Sequence, residues 1–559
     1  MHIAIVHGYM LEGTGSNLYV QNMCREFCRL GHQVSLFSQA DNREKFDFIA
    51  RAVDFTPDNQ EMDVLFQRET GYPGQCTAYR PNLGGLLPVY VFDHYQGYRV
   101  KEFTELSVSE LEDYIERNKT AMGTCFGQSG PDLFLTNHLI MQPVYTARLC
   151  QQLGKVQNFL TVHGSCLNFS VRKSPLLTEY ARSAFPWTDR IIFVSNYSRQ
   201  EFLDYFEYDP AVAQKAVVIP AGVALDKFKP LDSNERKTDR INLLLTNLED
   251  TKKTKGRTRE EKLKFRQTVA KVTEQEELQQ LVQLDNNTEN WEVDTDTAEK
   301  LAAIDWQQSP VILYYGKYLW TKGAQLLLAA APLVLRKEPD TFFILVGFGS
   351  FRGYLEALVA SLDSGRRDLF YELITQPQDY NSAVDPFSAH YFAGLMEKLR
   401  DQNFAESYFG AARDQLAQRV IFTGYIGHDG LKDLIPCSDI TVVTSIFPES
   451  FGMVSVEALA SGVIPLLTDH SGFSEVNRDC VIEFKEVFDT LGLSPLLLNE
   501  QLTLNLANNM LVLLKYYKRM TPQERQQIRT RAHRLASTKY SWNSVASSYL
   551  QLSEESHRF

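Results

Sequence analysis

At 559 residues, with 44% hydrophobic and 23% charged residues, the chain is too long for one ordinary domain and apolar enough for two large cores. Its formal net charge of -12 argues against a general nucleic-acid or anionic-membrane surface and leaves room only for a local basic patch. The eight cysteines form no CxxC or zinc-like Cys/His pattern, and Gln325 and Pro332 interrupt the most apolar run, near Leu326–Leu335, below membrane length. Cys24 and Cys28 read as one buried helix face, and Met1-His2-Ile3 starts directly as a strand without a leader pattern, so a soluble, reducing, cytoplasmic setting is expected.

In chain order, Ile3–Val6 is predicted as a strand that runs into Gly8 and the Gly13-Thr14-Gly15-Ser16 turn. An amphipathic helix follows from Leu18 to Leu30, then a strand at Gln33–Phe37. This is a βαβ start with a glycine-rich turn, although the turn is not GxGxxG, so a dinucleotide is a weak expectation. From Asp41 to Gly130 the pattern is mixed, with aromatic turns such as Tyr95-Gln96-Gly97-Tyr98 and a helix near Leu106–Met122. Asp132–Thr136 and Phe159–Val162 are predicted buried strands that end at His138 and His163, on the side of a parallel sheet where ligands bind. Asp189–Ser195 is a further strand, with Asn196 or Ser198 as the cap of the next helix. Ala216–Val223 leads toward Pro230.

Residues 231–309 break this rhythm. Lys252–Lys271 is basic and Glu274–Lys300 acidic, with a helical pattern near Glu276–Leu284, which predicts a solvated helical or flexible insertion; a basic contact with a membrane or an anionic acceptor stays open there. The alternation resumes with Val311–Tyr315, the turn Gly316-Lys317-Tyr318-Leu319-Trp320-Thr321-Lys322-Gly323, a helix to Leu335 and a strand at Phe342–Val346. Residues 361–418 read as a second insertion with helices at Leu395–Gln402 and Ala411–Gln418, followed by Val420–Ile426. The strand Ile440–Thr444 then precedes Phe447-Pro448-Glu449-Ser450-Phe451-Gly452-Met453-Val454-Ser455-Val456-Glu457, and Gly462 stops the intervening helix before Val463–Leu467. A helix starting near Phe451 or Gly452 points free N–H groups and a positive dipole end at an anionic ligand, and Gly452 allows a close backbone approach. Glu449 and Glu457 flank that tip and can accept hydrogen bonds from hydroxyls.

This arrangement resembles the Glu-x7-Glu motif of retaining glycosyltransferases of the GT-B fold, in particular glycosyltransferase family 4. The resemblance implies an α/β chain with two Rossmann-like domains whose parallel sheets face across an interdomain cleft, plus two insertions. It implies an acceptor domain at 1–230, a charged linker at 231–309, a donor domain at 310–535 interrupted by 361–418, and a C-terminal helix at 536–559 that packs back on the first domain. By the same resemblance Glu449 faces the donor sugar, Glu457 the nucleotide ribose, and His163, in its Thr-Val-His-Gly string, the sugar. Lys317 and Lys322 match a Gly-Arg…Lys-Gly diphosphate motif, with Lys317 where Arg is usual and the planar fork lost. Gly15, Gly316, Tyr425, Ile426, Phe451, Gly452, Met453 and Val454 join the donor site, and His138 is an acceptor candidate. Thr468–Val476 is similar to the family's Gly-x-x-Glu turn, whereas Ala221 and Ala224-Leu225 depart from its pattern at the exit from the first domain.

The expected reaction moves a hexose-type sugar from a nucleotide diphosphate sugar to an unidentified glycan, lipid or small molecule, with retention and catalytic His163, Glu449 and Lys322. The two lysines and the helix tip stabilise the leaving diphosphate, so no metal ion or further cofactor is expected. Alternatives are a GT-B phosphorylase or sugar-nucleotide epimerase, and a non-catalytic nucleotide-sugar binding protein. Base, sugar, acceptor and oligomeric state stay open.

Overall fold

The computed structural model describes residues 1–90, 97–154, 156–233, 235–249, 256–286, 292–380 and 384–557. Tyr95, Gln96 and the start of the basic run at Lys252 lie outside them. The chain forms two compact units, Met1–Gly222 with Tyr540–Phe559, and Val223–Lys539.

Among the described residues, the first unit carries a sheet of strands β1 (His2–Val6), β2 (Gln33–Phe37), β3 (Ile49–Phe55), β4 (Met62–Gln67), β5 (Gln75–Arg80), and a separate two-stranded sheet of β6 (Leu86–Val89) and β7 (Arg99–Glu102). The main sheet continues with β8 (Leu133–Asn137), β9 (Gln157–Val162), β10 (Arg190–Phe193) and β11 (Ala216–Val218), in the order β11-β10-β9-β8-β1-β2-β5-β3-β4. All pairs in it are parallel except β3 with β4. The central strands are continuous apolar runs because helices cover both faces. Strands β3 to β7 fall where the periodicity is mixed, and the sequence reading placed none of them. The helix Asn196–Tyr205 is capped by Ser195 rather than Asn196 or Ser198; its hydroxyl accepts from the Ser198 N–H, and Ser198 reciprocates. The C-terminal helix Trp542–His557 packs on the helix Gly15–Arg29 through a Tyr19–Tyr549 hydroxyl contact of 2.8 Å.

The second unit holds β12 (Val311–Tyr315), β13 (Phe342–Val346), β14 (Val420–Phe422), β15 (Ile440–Val443) and β16 (Pro465–Leu467), all parallel in the order β14-β13-β12-β15-β16. Its helix Ala324–Leu335 is buried at every position, which explains an apolar run that is nonetheless a core element. Among the described residues no helix is long and apolar enough to cross a membrane.

The charged segment differs most from expectation. The second unit begins at Val223 rather than 310 and takes this segment in. Helices Arg259–Lys271 and Gln275–Asn286 bury Phe265, Val269, Leu278 and Val282 in the core around the helix Arg352–Asp363. Lys262, 2% exposed, is held by Asp294 (2.9 Å) and Asp296, and Arg352 grips Asp294 at 2.6 and 3.0 Å. The apparent solvated charge block therefore includes a buried, mutually neutralised cluster. The helices within residues 361–418 include Arg367–Thr375, Ala393–Lys398, Gln402–Ala412 and Leu416–Arg419; the predicted Leu395–Gln402 is broken where Asp401 caps the third by accepting from the Phe404 N–H.

Candidate active site

In the second unit two loops at the carboxyl end of the sheet are stitched together. Gly323 has φ +71°, and a Cβ there would lie 1.8 Å from the Thr444 carbonyl oxygen, so only glycine permits this approach. The Ile446 N–H donates to the Thr321 carbonyl (2.8 Å), and the Ser445 hydroxyl oxygen lies 3.0 Å from the same carbonyl. This contact seats Lys322 Nζ on Glu449 Oε1, and Ser445 Oγ donates to the same oxygen at 2.9 Å. The Glu449 backbone is fixed in turn, its N–H donating to Ser471 Oγ (3.0 Å) and its carbonyl accepting from the Gly472 N–H (2.9 Å). His470 Nε2 donates to the Ser445 carbonyl (2.7 Å), which leaves Nδ1 to accept from Ser471 at 3.1 Å.

The next helix is Met453–Ala460, starting one to two residues later than predicted. Gly452 precedes it at φ +92°, and a Cβ there would meet the Phe473 ring at 1.9 Å. Phe473 and the left-handed φ both require glycine at this position. Gly316 does have that openness: the nearest atom to a Cβ is Tyr314 Oη at 3.7 Å. Phe451 is 5% exposed, while Met453 and Val454 are half-buried at the helix tip.

Glu457 is 5% exposed and its Oε1 lies 3.2 Å from His428 Nε2. Glu457 raises the His428 pKa against the opposing effect of burial. Tyr315 donates to the Val454 carbonyl at 2.6 Å beside it. The Lys317 ammonium lies 5.7 Å from the Phe348 ring centroid, and Tyr425 meets the same ring edge-on at 5.4 Å. The Tyr425 N–H donates to the Glu292 carbonyl (3.0 Å), so the preceding charged segment, and not a ligand, occupies this amide. Ile426 is 3% exposed, which leaves its side chain inside the core.

In the first unit His163 follows β9, half-buried, with Nε2 3.1 Å from Asn137 Oδ1. Burial pushes its pKa down to about 3 and that of His7 to about 4, so both imidazoles are neutral near pH 7. Tyr19 stands edge-on to His163 at 5.5 Å and is backed by Trp542 at 5.1 Å. His138 is 1% exposed, enclosed by His7, Tyr9, Tyr90 and His163, because φ +70° turns the chain inward after β8. That burial removes it from direct contact with an acceptor, contrary to expectation. Gly15 is exposed at the first position of its helix, whose cap Thr14 accepts from the Asn17 N–H.

A sequence model described as Glycosyltransferase Family 4 matches residues 97–227, and one described as Glycosyl transferases group 1 matches residues 402–489, which include Glu449 and Glu457. Two sequence regions of glycosyltransferase type thus lie in one chain. The chain is 25% identical over 166 residues to an uncharacterised glycosyltransferase of Methanocaldococcus jannaschii, covering 30% of this chain and 29% of that protein. It is 35% identical over 75 residues to the mannosylfructose-phosphate synthase of Agrobacterium fabrum, covering 13% of this chain and 16% of that protein. The alignments thus span less than a third of either relative's length. Among solved structures, the alpha,alpha-trehalose 6-phosphate synthase of Burkholderia multivorans superposes with a TM-score of 0.50 and 13% identity, over 100% of this chain and 97% of that one. A trehalose-6-phosphate structure from E. coli bound with UDP-2-fluoro glucose gives 0.50 and 11% identity, over 99% of both chains. At such identities the likeness establishes the fold, GT-B, and nothing about substrates.

Sequence reasoning missed four residues of the candidate site: Ser445 and Ser471 against Glu449, His470 behind them, and His428 against Glu457. Thr468-Asp469-His470-Ser471-Gly472 lay inside a noted motif, but its polar residues have no periodicity that marks which of them turn toward Glu449. The Asp-x-Asp spacing at Asp294–Asp296 also went unremarked; its carboxylates are committed to Lys262, Arg352 and Lys300.

Proposed function

We propose that the protein transfers a hexose-type sugar from a nucleotide diphosphate sugar to an acceptor hydroxyl, with retention at the anomeric carbon. The convergence of Lys322, Ser445 and Glu449 just before the N-terminus of the helix Met453–Ala460 carries this reading. In the free protein Lys322 neutralises Glu449. On donor binding the ammonium shifts toward the diphosphate while Glu449 accepts from a sugar hydroxyl, so one pair serves both ends of the breaking bond. Charge grows on the diphosphate as that bond breaks, and Lys322, Lys317 and the helix N–H groups stabilise it. These fixed charges fill the role a metal ion has elsewhere.

Glu457, oriented by His428, accepts from the ribose hydroxyls. The exposed end of the Tyr425–Phe348 pair serves as the stacking surface for the base, and Gly316 gives the diphosphate backbone access. Neutral His163 hydrogen-bonds the donor sugar without adding a competing positive charge. The phosphate-synthase name of the Agrobacterium relative favours a sugar or sugar-phosphate acceptor.

The purified protein incubated with UDP-, GDP- and ADP-sugars is expected to release nucleotide from one of them and to form a product whose anomeric configuration, read by NMR, equals that of the donor. Glu449→Ala is expected to keep nucleotide binding and lose turnover. A requirement for inorganic phosphate with release of sugar phosphate identifies a phosphorylase instead, and inversion of configuration rejects the retaining route.

A further inference from the structure

A cavity of about 320 Å³ opens in the first unit outside the carboxyl ends of β2, β3 and β5. It lies on the ligand-binding side of a parallel sheet and has the volume of a small-ligand site. Its polar lining consists of Gln39, Asp41, Asp54, Arg80, Asn82 and Tyr98, none of which the donor chemistry uses. The charges within it are already balanced. Arg80 engages Asp54 through Nε (3.1 Å) and Nη2, and Asp41 through Nη1. Arg43, 1% exposed, reaches Asp54 from beneath and spends its remaining contacts on the Val53 and Ala78 carbonyls at 2.9 and 3.2 Å. Two guanidinium groups therefore face two carboxylates, and no net positive charge is left for a phosphate dianion. The Asp41 side chain is 53% exposed and presents acceptor capacity to the opening. Tyr98 Oη, which donates to Gln39 Oε1 at 2.8 Å, adds a half-buried ring and a hydroxyl oxygen. The Gln39 N–H donates to the Tyr9 carbonyl (2.9 Å), and the Tyr9 ring lies 5.9 Å from that of His7, so the cavity is structurally joined to the histidine cluster.

We propose that this cavity receives the acceptor and that the acceptor is an unphosphorylated, hydroxyl-rich sugar or glycan end. The proposal rests on the glycosyl-transfer reading and narrows its acceptor class. Carboxylates that accept from hydroxyls, a tyrosine ring for the sugar's apolar face and an Arg80 guanidinium already paired with carboxylates recognise a neutral carbohydrate and disfavour a sugar phosphate.

The test measures binding, without donor, of glucose and maltose against glucose 6-phosphate and inorganic phosphate, by saturation-transfer NMR on the full chain. The neutral sugars are expected to bind at least about tenfold more tightly than glucose 6-phosphate. Asp41→Asn, at the exposed rim, is expected to weaken the neutral sugars and to strengthen glucose 6-phosphate by freeing part of Arg80, a reciprocal change that loss of structure does not produce. Glucose 6-phosphate binding as tightly as glucose, or no sugar binding that responds to Asp41→Asn, overturns the proposal. Nucleotide binding to wild type and Glu449→Ala probes the second unit, so failure here is distinguishable from failure of the transferase reading.

Discussion

His428 Nε2 lies 3.2 Å from Glu457 Oε1, at a carboxylate that is 5% exposed and that sequence alone paired with no cation. The His428 ring also meets Phe228 edge-on at 5.8 Å, with Lys227 opposing its charge and Asp429, itself 2.8 Å from Lys227, favouring it. Glu457 dominates the favourable interactions and raises the His428 pKa above 6.5. A raised folded-state pKa gives stabilisation that is complete below the unfolded value and lost as pH rises through the folded one. His428→Gln is therefore expected to destabilise the protein by about 1.5–3 kcal/mol at pH 6, the range for a hydrogen bond to a charged group, and by clearly less at pH 8.5. Urea denaturation of both proteins at the two pH values checks this; an equal difference at both rejects it.

Lys322→Met and Glu449→Gln each remove one half of a contacting ion pair. Each is expected to lower kcat on the order of 10²–10³-fold, the usual cost of one preorganised charge. Combining them is expected to cost less than the product of the single effects, because the two side chains act on each other directly. Steady-state kinetics of the three variants with the donor found by screening decides this.

His163 has its pKa pushed down to about 3 by burial. Its imidazole resonances are expected to stay unshifted between pH 5 and pH 9 (about two units beyond that value or more), and turnover in that range is expected not to report its titration. An NMR pH titration against His163→Asn assigns the signals. A midpoint between pH 5 and pH 8 contradicts the neutral role.

Gly452→Ala places a methyl group against the Phe473 ring at a backbone φ of +92°. Overpacking of about 1–3 kcal/mol and left-handed strain of about 1–2 kcal/mol are expected to act together. Thermal denaturation is expected to show a Tm several degrees lower, and Phe473→Leu is expected to recover part of the loss in the double variant.

Lys262→Met leaves Asp294 and Asp296 with one cation fewer inside the second unit. Breaking a buried pair from one side costs about 3–5 kcal/mol, so this single change at a lysine of an apparently solvated stretch is expected to be strongly destabilising. Lys264, two residues away and exposed, is the control: Lys264→Met is expected to change stability by less than about 0.5 kcal/mol. Equal effects of the two reject a structural role for the buried cluster.

The α/β class, the strands β1, β2, β12 and β13 and the Glu449–Glu457 helix were legible in the sequence because buried parallel strands are continuous apolar runs set off by glycine turns. Resemblance to family motifs also marked Lys322, Glu449 and Glu457 as candidates. The tertiary structure decided which polar residues meet. Gly323 against Thr444 brings Lys322 to Glu449, a positive φ turns His138 inward, and Lys262 finds Asp294 and Arg352 inside the core. Charge composition cannot distinguish a solvated lysine from a buried, paired one, because the difference is created by partners tens of residues away.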